Sequence, residues 1–255
     1  MEKYFKILKN IAKNNKKLYN FKTESILQVL FSKISYLFTP IFIIFNITPN
    51  TITLLNFIIS LFSIIFIFYG NEYFFELGII LYIFYRVFDF CDGAVSRYQN
   101  TSTFYGRFID GLADIFLNTF LILSVSFYSF KIYNSVPLLL FGCISSVLTA
   151  FDTFIYDRYS ALARWSNLEN ATKIMPFIKT KFMQKSKKFY IDAITILLII
   201  MPFIEAKDDL FYANIILFFL IFTVSAVQNI LLHISFASVH FKLKANVKSK
   251  QKTQK

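Results

Sequence analysis

Residues 51–70 read TITLLNFIISLFSIIFIFYG, and residues 73–97, beyond Asn71-Glu72, read YFFELGIILYIFYRVFDFCDGAVSR. Each run reaches the roughly 20 mainly apolar residues that a helix needs to cross about 30 Å of hydrocarbon. Only the polar turn Gly70-Asn71-Glu72 separates them. The pair therefore reads as a membrane hairpin, and its second arm ends in charge: Arg86, Asp89, Asp92 and Arg97.

Residues 103–130, 136–157, 189–205 and 210–237 repeat the pattern. The expectation is an all-α polytopic membrane protein with six transmembrane helices. Composition agrees: 56% of residues are hydrophobic and 34 are Phe, and the mean hydropathy is +0.55, which excludes an ordinary soluble domain. Phe116, Phe120 and Phe127 in the third span read as lipid-facing or interhelical packing. Cys91 and Cys143 stand alone in apolar surroundings, so they read as core residues rather than a zinc site or disulfide.

The net charge of +12 does not indicate nucleic acid. Lysines gather in the first 22 residues, in 158–188 and after His240, beside the predicted spans, where they suit anionic lipid headgroups. The turns at 70–72, 129–135 and 205–209 carry few cations. An even number of spans then places both termini, and the charged end of the hairpin, on the cytoplasmic side of the cell membrane. The basic N-terminus lacks the apolar region and cleavage site of a secretory signal.

Residues 25–46 hold enough apolar side chains for a seventh span. However, Ile26, Leu27, Leu30, Phe31, Ile34, Leu37 and Phe38 form a stripe with Gln28, Ser32, Lys33 and Ser35 elsewhere; Val29 and Tyr36 are exceptions. A seventh crossing would also divide the terminal lysine clusters between the two sides. The segment is expected to be an interfacial amphipathic helix, broken at Pro40 and at the Thr48-Pro49 turn. The chain then divides into a basic N-terminus with interfacial helix (1–47), a six-helix membrane domain (48–240) and a basic disordered tail (241–255).

Asp89 and Asp92 are three apart and Asp110 and Asp114 four apart, so each pair projects from one helix face. The turn near Asn100 makes their helices antiparallel neighbours. Four carboxylates at this depth repel and cost several kcal/mol unless protonated or matched by cations. An all-oxygen donor set favours Mg²⁺ or Mn²⁺ over zinc, and four carboxylates suffice for two ions. The alternative for any one aspartate is a helix-end salt bridge to Arg86, Arg97 or Arg107.

Residues 89–114, DFCDGAVSRYQNTSTFYGRFIDGLAD, resemble the CDP-alcohol phosphatidyltransferase signature D-x2-D-G-x2-A-R-x8-G-x3-D-x3-D. Asp89, Asp92, Gly93, Arg97, Gly106, Asp110 and Asp114 fall on its fixed positions, and Ser96 replaces the Ala. Thr48-Pro49-Asn50-Thr51-Ile52-Thr53 resembles the Pro-Asn-x-x-Thr entry to that family's first span. The resemblance implies a six-helix bundle, often a homodimer, with a polar cavity open to the cytoplasm. It implies metal ligation by Asp89, Asp92, Asp110 and Asp114, with Asp114 also the general base. Asn50, Thr53, Gly93, Ser96, Arg97 and Gly106 would line the CDP-alcohol site.

After the fourth span, Tyr156-Asp157-Arg158-Tyr159-Ser160-Ala161 resembles the family's helix-end motif. Arg158 and Arg164 would bind a phosphate on the acceptor, or simply mark the cytoplasmic side. His233 and His240, seven apart at the end of the last span, read as interfacial. The resemblance implies transfer from a CDP-alcohol lipid donor to a small polar alcohol in phospholipid synthesis. Transfer of a CDP-linked headgroup to diacylglycerol uses the same positions. Ion transport through the aspartates is the reading from another class, and a non-catalytic scaffold a third. Gly111-Leu112-Ala113-Asp114-Ile115 matches neither the Pro-x-Ala-Asp-Lys nor the Ser-x-Ala-Asp form, so the acceptor stays open.

Overall fold

The structure, a computed structural model, describes residues 2–18, 24–169 and 181–252. Within these, the side chains of 2–3, 14–18, 104, 163–169, 181–185, 187 and 238–252 lie outside the description. The elements are α1 (Glu2–Leu18), α2 (Ile26–Ile44), α3 (Pro49–Tyr69), α4 (Glu72–Gln99), α5 (Phe104–Tyr133), α6 (Val136–Glu169), α7 (Lys181–Ile200), a 3₁₀ turn Met201–Phe203, and α8 (Asp209–Lys252). No strand occurs among the described residues. The protein is an all-α polytopic membrane protein. Five helices, α2, α3, α5, α6 and α8, are long and apolar enough to cross a membrane.

Each of the six predicted spans is a helix, α3 to α8. The helix boundaries follow local chemistry. Thr48, Asn71 and Thr103 cap α3, α4 and α5 by accepting the amides of Thr51, Phe74 and Gly106. Gly70, Asn100 and Asn134 end the same helices in the left-handed region, which glycine and asparagine adopt at low cost. The fifth predicted span ends earlier than expected, at Ile200, because Pro202 has no amide proton with which to continue the helix. The predicted tail also differs: 241–252 continue α8 as helix, and their Lys, Leu, Ala and Gln are favourable helix formers.

The largest departure concerns residues 25–46. Pro40 does not break α2 but lies buried inside it. Nearby hydroxyls supply donors to the helix: Ser35 Oγ to Ser32 O and Thr39 Oγ1 to Ser35 O, both 2.7 Å. The apolar stripe is divided: Phe31 is buried, with Leu27 and Phe38 packed beside it against α4. Ile26, Leu30, Ile34, Leu37 and Ile41 point outward, whereas Ser32, Ser35 and Thr39 are buried against α4. Small polar residues let helices approach closely within a bilayer, and the outward part of the stripe is left to lipid. The basic N-terminus, for its part, forms the amphipathic α1, which buries Ile7 and Ile11 beside Ile43, Ala94 and Val95.

Backbone packing arranges the helices in a closed ring in the order α2, α4, α3, α5, α6, α8, α7 and back to α2. The ring is filled by one apolar cluster that includes Ile67, Phe75, Tyr82, Tyr85, Leu117, Leu121, Phe211 and Phe218. The α7–α2 closure is polar as well as apolar. Asp192 of α7 accepts the first two amides of α2, from Ile26 at 3.0 Å and Leu27 at 2.9 Å. A carboxylate there satisfies orphan N–H groups and complements the positive end of the helix dipole.

Candidate functional site

The site lies where α3 begins, α4 ends and α5 begins. α3 packs along both α4 and α5. The latter two are joined across the ring chiefly by side chains, as where Phe75 stacks on Tyr128 at 4.0 Å between centroids. The α4 carboxylates thus face those of α5 across a space flanked by α3.

Asp92 is buried, and the buried Thr53 donates Oγ1–H to its Oδ2 at 2.7 Å. The same hydroxyl lies 3.2 Å from Pro49 O, one turn earlier in α3. A hydrogen bond to an ionised group contributes about 1.5–3 kcal/mol. Across the space, Tyr85 donates its phenol to Asp114 Oδ1 at 2.6 Å. Each bond engages one carboxylate oxygen, and Asp92 also accepts from the backbone of Gly93.

Asp89 and Asp110 are half-buried. Asp89 experiences repulsion from Asp114, Asp92 and Asp110, and attraction to Arg86. Asp110 likewise lies within reach of Asp114. The four predicted carboxylates therefore form one electrostatic group. Among the described residues, however, no three His, Cys, Asp or Glu side chains are arranged as a formed metal site. The chemistry of the set, oxygen-only and mutually repelling, fits a hard divalent cation.

The remaining predicted positions divide. Asn50 Oδ1 lies 3.1 Å from where a Cβ would stand on Gly106, so this glycine permits close contact between the starts of α3 and α5. Arg97 folds back over Gly93, its Nη1 3.1 Å from the corresponding position. Ser96 is half-buried, and its carbonyl accepts the amides that end α4. Arg158 is exposed on the outward stripe of α6 with Phe151 and Phe154, on a different face from the rest. Arg164 lies further along α6, and its side chain is outside the described residues; so is that of His240 on α8.

Two residues beyond the motif join the site. Tyr85 precedes Asp89 by four positions, so helical spacing on the same face was the available signal. Arg86 lies within electrostatic reach of Asp89 and Asp114, and its buried Nε has no hydrogen-bond partner. The arrangement holds carboxylates and a guanidinium around a space at the end of the bundle, which suits a polyanion carried with cations.

The family model described as CDP-alcohol phosphatidyltransferase matches residues 46–226. No curated protein matches the chain.

Proposed function

The chain belongs to the CDP-alcohol phosphatidyltransferase family, and from that premise we propose that it moves a phosphatidyl group from CDP-diacylglycerol to a small polar alcohol. Family membership makes it a membrane transferase of phospholipid synthesis; the donor, acceptor and residue roles are our reading. The observation that carries it is the pair of bonds Thr53–Asp92 and Tyr85–Asp114, which anchor a carboxylate of α4 and one of α5 that lie within electrostatic reach of each other.

In this reading Asp114 is the general base. With Oδ1 held by Tyr85, Oδ2 takes the proton of the acceptor hydroxyl. The acceptor oxygen forms a bond to the phosphorus farther from cytidine. The bond from that phosphorus to the bridging oxygen breaks, and its electron pair leaves with CMP. Asp89, Asp92, Asp110 and Asp114 would hold Mg²⁺ or Mn²⁺, which when bound supplies Lewis-acid stabilisation of phosphate charge. Arg86 lies within electrostatic reach of Asp89 and Asp114 with its buried Nε unsatisfied, and would offset the charge of the diphosphate. Gly93, Ser96, Arg97, Gly106 and Asn50 line the donor side, with the site on the cytoplasmic face.

The test is CMP release by the full chain in detergent with CDP-diacylglycerol and Mg²⁺ over a panel of alcohols. Release with one acceptor is expected, and Asp114→Asn should reduce it by at least about a hundredfold. Release only with CDP-choline or CDP-ethanolamine and diacylglycerol would reverse the donor assignment. No release with either donor class would refute the proposal.

A further inference from the structure

The last helices carry a second polar group that the reaction centre does not use. On α6, Asp152 accepts the amide of Asn229 on α8, Nδ2 to Oδ2, at 3.0 Å. Its other oxygen, Oδ1, is buried without a hydrogen bond and lies 3.6 Å from Nδ1 of the buried His233. The ring of Tyr156 lies against that imidazole, 5.4 Å between centroids. An ionisable cluster between apolar membrane helices is costly, which makes a ligand-related role the first reading to test.

Hydrogen bonds between the helices set its depth. Ser126 Oγ bonds Leu139 O and Ser146 Oγ bonds Thr119 O, which fixes the antiparallel register of α5 and α6. That register places Asp152 opposite Ala113, adjacent to Asp114. Ser145 with Thr223 and Asp152 with Asn229, separated by 78 and 77 positions, show that α8 runs parallel to α6 at a constant offset. Asn229 therefore lies level with Asp152, and His233 and Tyr156 one turn on, level with Asp110. The group spans the same two turns as the α5 carboxylates, on the next two helices of the ring.

From these observations we propose that Asp152, Asn229, His233 and Tyr156 form the recognition site for the acceptor, and that this acceptor is an alcohol without a phosphate group. The inference rests on the transferase reading above. The attacking hydroxyl must reach Asp114, while the α3 and α4 sides of the site are taken by Thr53–Asp92 and Tyr85–Asp114. The rest of the acceptor extends toward α6 and α8. There it meets a carboxylate, an amide, an imidazole and a phenol, partners for hydroxyl or ammonium groups. A phosphate would be repelled by Asp152, and Arg158 stands on the outward stripe of α6 instead.

The experiment measures CMP release by the purified full chain with CDP-diacylglycerol and Mg²⁺. The acceptors are myo-inositol, serine and choline on one side, and glycerol 3-phosphate and inositol phosphate on the other. A phosphate-free acceptor is expected to be the substrate. Asp152→Asn, which preserves shape, and His233→Gln are each expected to raise the acceptor KM about tenfold, with the donor KM changed by less than about twofold. Preference for a phosphorylated acceptor overturns the proposal. So do variants that leave the acceptor KM unchanged, or that raise both KM values with a lower thermal midpoint, the behaviour of a mere interhelical clamp. Absence of CMP release in the unmodified protein would remove the transferase reading and this one together. Activity in the unmodified protein with unaffected variants removes this one alone.

Discussion

The phenol of Tyr85 leaves Asp114 with one oxygen committed and one available, so the proton removed from an acceptor has a defined destination. Tyr85→Phe is expected to retain the fold and lose about 1 kcal/mol of stability, since one hydrogen bond is removed. In CMP-release assays kcat should fall about tenfold while the donor KM stays close to its original value. An unchanged kcat would show that Asp114 needs no such anchor. Thr53→Val should act differently, because it removes the side-chain donor of the buried Asp92. The thermal midpoint in detergent should drop by several degrees, reflecting about 1–3 kcal/mol. That the four aspartates come within electrostatic reach of one another was legible from their helical spacing and the turn near Asn100. Tyr85 was legible in principle, as the residue four before Asp89. The Asp152–His233 contact was not: its members are remote in sequence, and no local pattern signals which helices will meet.

At the scale of single helices, α3, and α2 along its Ser32-Ser35-Thr39 face, reverse the amphipathic rule of soluble proteins. In α3 the buried residues include Thr53, Asn56, Ser60 and Ser63, while Leu54, Leu55, Ile58, Phe62 and Ile65 face outward. Lipid is as apolar as leucine, so burial is driven by close fit and interhelical hydrogen bonds rather than by escape from water. This explains why the stripe on 25–46 was legible while its direction was not. An interfacial reading presumes water on one side, and the buried serines of α2 meet α4 instead. Substituting Ser35→Leu is expected to separate α2 from α4 and lower the thermal midpoint, whereas Leu37→Ala on the outward stripe should leave it nearly unchanged. Equal effects would indicate that the stripe, not the serine face, is the packing surface. Asp192→Asn should weaken the cap on α2 by about 1 kcal/mol, read as a reduced midpoint with the acceptor and donor KM values preserved.

Across the whole molecule, ring order differs from chain order, and this places the two polar groups side by side. Long apolar helices could be read from run length, because the 30 Å of a bilayer sets a length that composition reveals, although among the described residues the five helices long and apolar enough to cross include α2 and not α4 or α7. The neighbours in the ring could not, since run length is silent about which helix stands beside which. Orientation rests on the lysine distribution and is open to direct measurement. A cysteine replacing Arg107 should react with a membrane-impermeant thiol reagent only from the cytoplasmic side. A cysteine replacing Asn134 should react only from the opposite side. Labelling of both from one side would overturn the arrangement in which the reaction centre opens to the cytoplasm.

The Asp192 cap also has a consequence in time. The amide of Ile26 and its carboxylate partner are 166 positions apart. At about 5–20 residues per second, the ribosome produces that partner on the order of ten to thirty seconds after the amide. Throughout this interval the amides of Ile26 and Leu27 must be satisfied by water, headgroups or the insertion machinery, while Ser25 caps Gln28 locally. A nascent protein that stops before α7 keeps the local Ser25 cap but leaves these two amides without their carboxylate, a local mark of incomplete synthesis.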